Sequence, residues 1–170
     1  MSRLSAHQHE TLLAHSLNLQ GQGHGLVAHL EAVAKEAQHL GSKFGADDVA
    51  YLVGLWHDLG KFSQSFQSYI LDPQHDRRHG LERDHATTGA IHAIRVLPPE
   101  PGSLVGWVIA GHHSGLADQG DLQERLRHPT HQSRAAGVRS TAAYHLPGLK
   151  PKVPPPVTGL SEHSPIFLLH

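Results

Sequence analysis

Apolar residues recur at helical spacing from Leu26 onward, at Leu26, Val27, Leu30, Val33, Ala34, Ala37 and Leu40, with Gly41 placed to stop the run. This predicts a first helix. Asp47 or Asp48 caps a second, whose apolar positions are Val49, Ala50, Leu52, Val53, Leu55 and Trp56, and Gly60 is expected to end it. Ser63 caps a short third helix carrying Phe66, Tyr69 and Ile70, which stops before Asp72-Pro73. A polar, charged loop runs from Asp72 to Arg83. Asp84 then caps a helix over roughly His85 to Leu97, ended by Pro98-Pro99. Ser103 opens the next, SLVGWVIAGHHSG, with Gly115 near its end, and DLQERLRH is a short polar helix at best. No segment alternates strongly enough to predict a sheet. The expected fold is all-α, a helical bundle.

The ends of the chain read differently. Residues 1–23 are polar and glycine-bearing, an extended lead-in to a core over 24–128. Residues 129–163 read as an irregular, Pro-rich connector, because PKVPPP excludes a helix there. Ser164-Pro165 is a cap and first-turn pair followed by Ile166, Phe167, Leu168 and Leu169, so 164–170 reads as the start of a truncated helix.

Composition narrows the function classes. A chain of 170 residues with an ordinary apolar share fits one compact domain. With no Cys there is neither a disulfide framework nor a thiolate metal site. No apolar run is long enough to span a membrane and no secretory signal pattern opens the chain, so a cytoplasmic location is expected. A net charge of −1 exerts no global pull on nucleic acid, although Arg125, Arg127, Arg134, Arg139, Lys150 and Lys152 make the second half locally basic. The 18 histidines change the picture, since neutral imidazole is the commonest metal ligand.

Their positions matter more than their number. YLVGLWHDLGKF is a segment built for burial that finishes on His57 and Asp58, groups costly to bury unless paired or metal-bound. On the predicted helices, His29 lies near the start of the first, His57-Asp58 close the second, His85 opens a later one and His112-His113 close the next. That alternation brings all of them to one rim of an up-and-down bundle. Imidazoles and a carboxylate without thiolate suit divalent Mn, Fe, Co, Ni or Zn, with Mg a further option. Asp58 can bridge two ions. Two ions about 3.5–4 Å apart are the usual arrangement for phosphoester hydrolysis, lowering the pKa of an attacking water and neutralising phosphoryl charge. Lys61 is placed to hold a scissile phosphate. His92 is expected to pack or to support a ligand. His7, His9, His15, His24, His39, His75 and His79 lack this context and are expected at the surface, whereas Trp56 and Trp107 read as core.

GLWHDLGKFSQSFQSYI, DHATTGA and IAGHHSGLAD resemble successive motifs of the HD phosphohydrolase superfamily. More narrowly they resemble the HD nuclease domain of the CRISPR type I helicase-nuclease, and GLVAHLEAVAKEAQHLGSKFGADDVAYLVG is similar to its opening helix and turn. The similarity runs from about Ala14 to Asp118. It implies a dinuclear site cleaving single-stranded DNA in antiviral defence. His29, His57, Asp58, His85, His112 and His113 would be ligands, with Asp58 bridging and Lys61 acting on the phosphate. His15 and His24 stay open as alternatives to His29. The implied partners are single-stranded DNA, a helicase portion of the same or a separate chain, and the CRISPR surveillance complex. The family pattern ends with an aspartate on a late helix, whereas this chain ends soon after SPIFLL, so a fragment competent for the fold and for one metal is expected. Two other functions fit the same residues: an HD-type phosphohydrolase of nucleotides or cyclic phosphodiesters, and a non-catalytic metal-binding or docking module.

Overall fold

The computed structural model describes residues 12–71, 84–146 and 149. Among them the α-helices are α1 (Leu26–Gly41), α2 (Asp47–Trp56), α3 (Gln64–Leu71), α4 (Ala86–Val96), α5 (Pro99–Gly111), α6 (Gln119–Arg127) and α7 (Pro129–His145), with 3-10 turns at Ser42–Phe44 and Leu59–Phe62. One isolated antiparallel bridge pairs Leu13 with Gly25, and no strand forms among the described residues. The chain is all-α, as its hydrophobic pattern predicts.

α1 and α2 form a hairpin, turned through Gly45, whose positive φ of 68° no β-branched or bulky residue adopts cheaply. Asp47 and Asp48 sit in the first turn of α2, where carboxylates favour the positive end of the helix dipole. Leu26, Leu30 and Ala34 of α1 meet Leu52, Leu55 and Trp56 of α2 in a core completed by Val105 and Ile109 of α5. Burying each of the larger side chains contributes about 1.5–3 kcal/mol.

Two elements depart from the sequence expectation. α5 begins at Pro99 rather than at Ser103. Prolines are tolerated in a first turn because their missing N–H groups have no intrahelical acceptor there. The second departure corrects the irregular connector expected from residue 129, because residues Pro129–His145 are a 17-residue helix. Its buried stripe is His131, Ala135, Val138 and Ala142, small residues with little hydrophobic contrast to their neighbours. Periodicity therefore hides the stripe, and packing against α4 supplies what propensity does not. Arg134 Nη1 donates to Asp84 O at 3.0 Å and His131 Nδ1 lies 3.6 Å from Asp84 Oδ2, tying α7 to the entrance of α4. Residues 147–148 and 150–163 of that connector, the helix start at 164–170 and the loop at 72–83 lie outside the described residues.

His92, on α4, is 3% exposed and meets Trp56 edge-on at a centroid distance of 4.8 Å. Its Nε2 lies 3.3 Å from Leu149 O. Burial pushes its pKa down to about 4, against a partial offset from the Leu149 carbonyl. The folded value lies below the unfolded one, so this neutral ring's contribution is complete above pH 6.5 and is lost as pH falls toward 4. The loss amounts to about 3 kcal/mol at most. His92→Leu is therefore expected to flatten the fall in Tm between pH 7 and pH 4.5. An unchanged slope in that variant would assign the pH dependence to other histidines.

Candidate metal centre

The rim is assembled from helix ends. α2 finishes at Trp56, so His57 and Asp58 leave its C-terminus, and His112 leaves the C-terminus of α5. Both ends carry partial negative charge, which favours a nearby cation. His85 is the residue before α4, and His29 lies in the first turn of α1. Two glycines permit the approach between α2 and α4. A Cβ on Gly60 would meet His85 Cα at 2.4 Å, and one on Gly89 would meet Trp56 O at 2.1 Å. Gly60 N also donates to His85 O at 3.2 Å, fixing the ligand-bearing backbone.

Asp58, 2% exposed, is the centre of the group. Its Oδ2 faces His29 Nε2 at 3.3 Å and His57 Nε2 at 3.1 Å; its Oδ1 faces His85 Nε2 at 3.1 Å and His112 Nε2 at 3.5 Å. His113 joins through its Nε2, 2.8 Å from His85 Nε2. The donors form two overlapping sets that share Asp58: His29, His57 and Asp58, and Asp58, His85, His112 and His113. In each set one ligand atom per residue lies within 4.8 Å of all the others.

The tautomers suit metal ligation. His57 Nδ1 lies 2.8 Å from Gly54 O and His112 Nδ1 lies 2.7 Å from Ile109 O. A backbone carbonyl only accepts, so each Nδ1 carries its proton, and in the neutral ring Nε2 is a bare lone pair aimed at Asp58. A lone pair and a carboxylate 3.1 Å apart repel unless a cation sits among them. His29 Nε2 and Asp58 Oδ1 are buried and make no aligned hydrogen bond, the condition of atoms shaped for another partner. Donors about 2.1 Å from a common ion stand roughly 3.0–3.4 Å apart, in line with the spacings around Asp58. The donor set fits first-row divalent ions.

Electrostatics keeps the donors in ligand form. Burial raises the Asp58 pKa, but hydrogen bonds donated by His112, His57 and His85 when those rings are protonated at Nε2 outweigh that and hold it well below the usual carboxylate range; with the rings neutral, a cation among them takes that role. Burial lowers the His29 pKa against the opposing pull of Asp58, and burial together with His112 and His85 lowers that of His113. Both stay neutral at neutral pH.

Lys61 stands differently from the open position expected for a residue that grips substrate. It is 5% exposed, and its Nζ donates to Asp58 Oδ2 at 2.7 Å and to Ala14 O at 2.9 Å. Gln67 completes this buried frame, accepting from Leu13 N at 2.9 Å and donating to Leu13 O at 3.0 Å and Lys61 O at 2.7 Å. Nothing in the pattern marks Gln67, since a glutamine on an amphipathic helix reads as solvent-facing. Asp84 was legible as a cap and does cap α4, accepting from Thr87 N at 3.0 Å and Thr87 Oγ1 at 2.7 Å. Of the histidines expected at the surface, His15 and His24 are exposed but stand against His29. Asp118 caps α6, accepting from Gly120 N at 2.8 Å.

An all-α domain whose rim offers two imidazole–carboxylate sets sharing one aspartate is a scaffold of the metal-dependent hydrolase class. The HD domain profile matches residues 26–140, more than half of the chain, and the chain belongs to that family. The match continues past residue 128 into α7, so the helix that the pattern hid lies within the family domain. No significant match exists among curated proteins. Among the described residues no helix is long and apolar enough to cross a membrane.

Proposed function

We propose that this domain is a metal-dependent nuclease that cleaves single-stranded DNA, and that it acts in CRISPR interference alongside a helicase portion in the same or a separate chain. The observation that carries the hydrolytic reading is the division of Asp58 between two donor sets, one oxygen facing each. Divalent ions held there supply an activated water and neutralise charge on the phosphodiester. The chain's own residues then have distinct tasks. His29 and His57 hold one position, His85, His112 and His113 hold the other, and Asp58 fixes the distance between them. Lys61 offsets the Asp58 charge, so divalent ions held by these residues would leave the rim net positive, which suits a polyanion. His113 lies exposed, so this side of the rim meets solvent, which supports access by a strand as well as by a small ester. The motif resemblance at HDLGKFSQSFQ and GHHSGLAD favours DNA over nucleotides.

The test is hydrolysis by the purified chain with Mn, Co, Ni or Mg, using single-stranded DNA in parallel with nucleotides and cyclic phosphodiesters. Metal-dependent cleavage of the DNA is the expected result. Turnover of a small ester without DNA cleavage would replace the substrate assignment, and no hydrolysis of any of them would favour a docking module.

A further inference from the structure

Residues 12–14 precede α1, yet they are held unusually firmly for a lead-in. Leu26 N donates to Leu12 O at 2.7 Å and Ala14 N donates to His24 O at 2.8 Å. The Gln67 side chain grips both backbone groups of Leu13, and the buried Lys61 ammonium grips Ala14 O. Ala14 itself is 1% exposed. Ordering backbone costs conformational entropy, and two buried polar side chains, Gln67 and Lys61, are committed here to holding it in place. The position fixed by this frame is that of the next residue, His15.

His15 is exposed at the edge of the metal rim. Its ring lies 5.2 Å from that of His29, edge-on at 77°. The same spacing recurs between rings that face Asp58: 5.3 Å for His29 and His57, 5.2 Å for His57 and His112, 5.7 Å for His85 and His112. Two imidazoles on one ion at about 2.1 Å produce ring separations of roughly this size. His15 also lies within electrostatic reach of Asp58 and Lys61. Among the described residues the adjacent donor set, His29, His57 and Asp58, has three protein donors where its neighbour has four. The His15 ring borders that set rather than joining it, and with the backbone anchored at Ala14 its position is left to the side-chain torsions.

We propose that His15 is the fourth protein donor to a divalent ion at the His29–His57–Asp58 position. The proposal rests on the metal-centre reading and adds a ligand to it. His24, whose ring also stands edge-on to His29, at 5.6 Å, is the second histidine beside that ring and serves as the comparison.

The experiment titrates the metal-free full chain with Co(II), following bound metal by equilibrium dialysis and coordination by the visible absorption of the ion. The wild type is expected to bind two ions. His15→Ala is expected to keep one and to weaken the other by at least the 10–100-fold that loss of a supporting partner costs. The visible band of the weakened site alone changes intensity. His15→Asp restores a donor and recovers binding, while His24→Ala behaves as wild type. An unchanged isotherm and spectrum in His15→Ala overturns the proposal, and so does an equal loss in His24→Ala. A wild type that binds no Co(II) overturns the metal-centre reading itself, a result distinguishable from either.

Discussion

Asp58→Ala is expected to eliminate cooperative loading of two divalent ions, to lower metal-dependent hydrolysis by more than about a hundredfold, and to destabilise the metal-free fold. One side chain produces all three effects because both donor sets converge on it. Without the carboxylate, His29 and His57 lose their link to His85 and His112, and each set keeps imidazoles alone. The Lys61 ammonium, 5% exposed, is left with the Ala14 carbonyl and the Phe66 ring 5.6 Å away, and with no counter-charge from Asp58. Removing one partner of a buried ion pair costs about 3–5 kcal/mol, since the other charge stays desolvated. Asp58→Asn separates the effects. It keeps the shape and an acceptor for Lys61, so urea unfolding should approach that of wild type while metal analysis shows the same loss of ions. Two bound ions in either variant would show that Asp58 is not shared.

Lys61→Met carries the second large effect, with a different signature. The aliphatic replacement keeps volume but leaves the Asp58 anion and the Ala14 carbonyl without their donor. In the absence of metal the cost is again about 3–5 kcal/mol. With divalent metal the ions supply positive charge beside Asp58, so the thermal midpoint of the variant should recover much of its deficit on loading. A lysine whose task is to hold the scissile phosphate gives another pattern: a near-normal midpoint with and without metal, and impaired turnover. Paired melting curves and rates distinguish the two. A deficit that metal leaves untouched would rule out a shared electrostatic role with the ions.

Much of this was legible in the chain itself. α1 through α4 follow from apolar spacing, and α3 and α4 also from cap residues whose chemistry is local, Ser63 and Asp84, whereas α2 is capped by Ala46 and carries Asp47 and Asp48 inside its first turn. The six donors stood out because a buried-type helix ending on His57-Asp58 contradicts its own hydrophobicity unless something pairs with the polar groups. Local signals failed where neighbours carried the energy. The α7 stripe of His131, Ala135, Val138 and Ala142 is too small-featured to show in one helix and acquires meaning only against α4. Gln67 looks like a solvent residue in sequence and Lys61 like one that faces a phosphate, and both are buried, where they supply donors and acceptors to the lead-in backbone at 13–14.

The sequence by itself determined that this is a helical domain with histidines and one aspartate at successive helix ends. Period and capping are properties of neighbouring residues, and a donor's chemistry belongs to the residue that bears it. Only the tertiary structure decided how the donors are shared. That Asp58 turns one oxygen to His29 and His57 and the other to His85 and His112 depends on the crossing of α2 with α4, which Gly60 and Gly89 permit. That Lys61 faces inward, and that His15 stands beside His29, depends on hydrogen bonds between residues up to 54 positions apart. Such contacts leave no period in the chain, because each is one distant pair whose partner is specified by packing rather than by its neighbours.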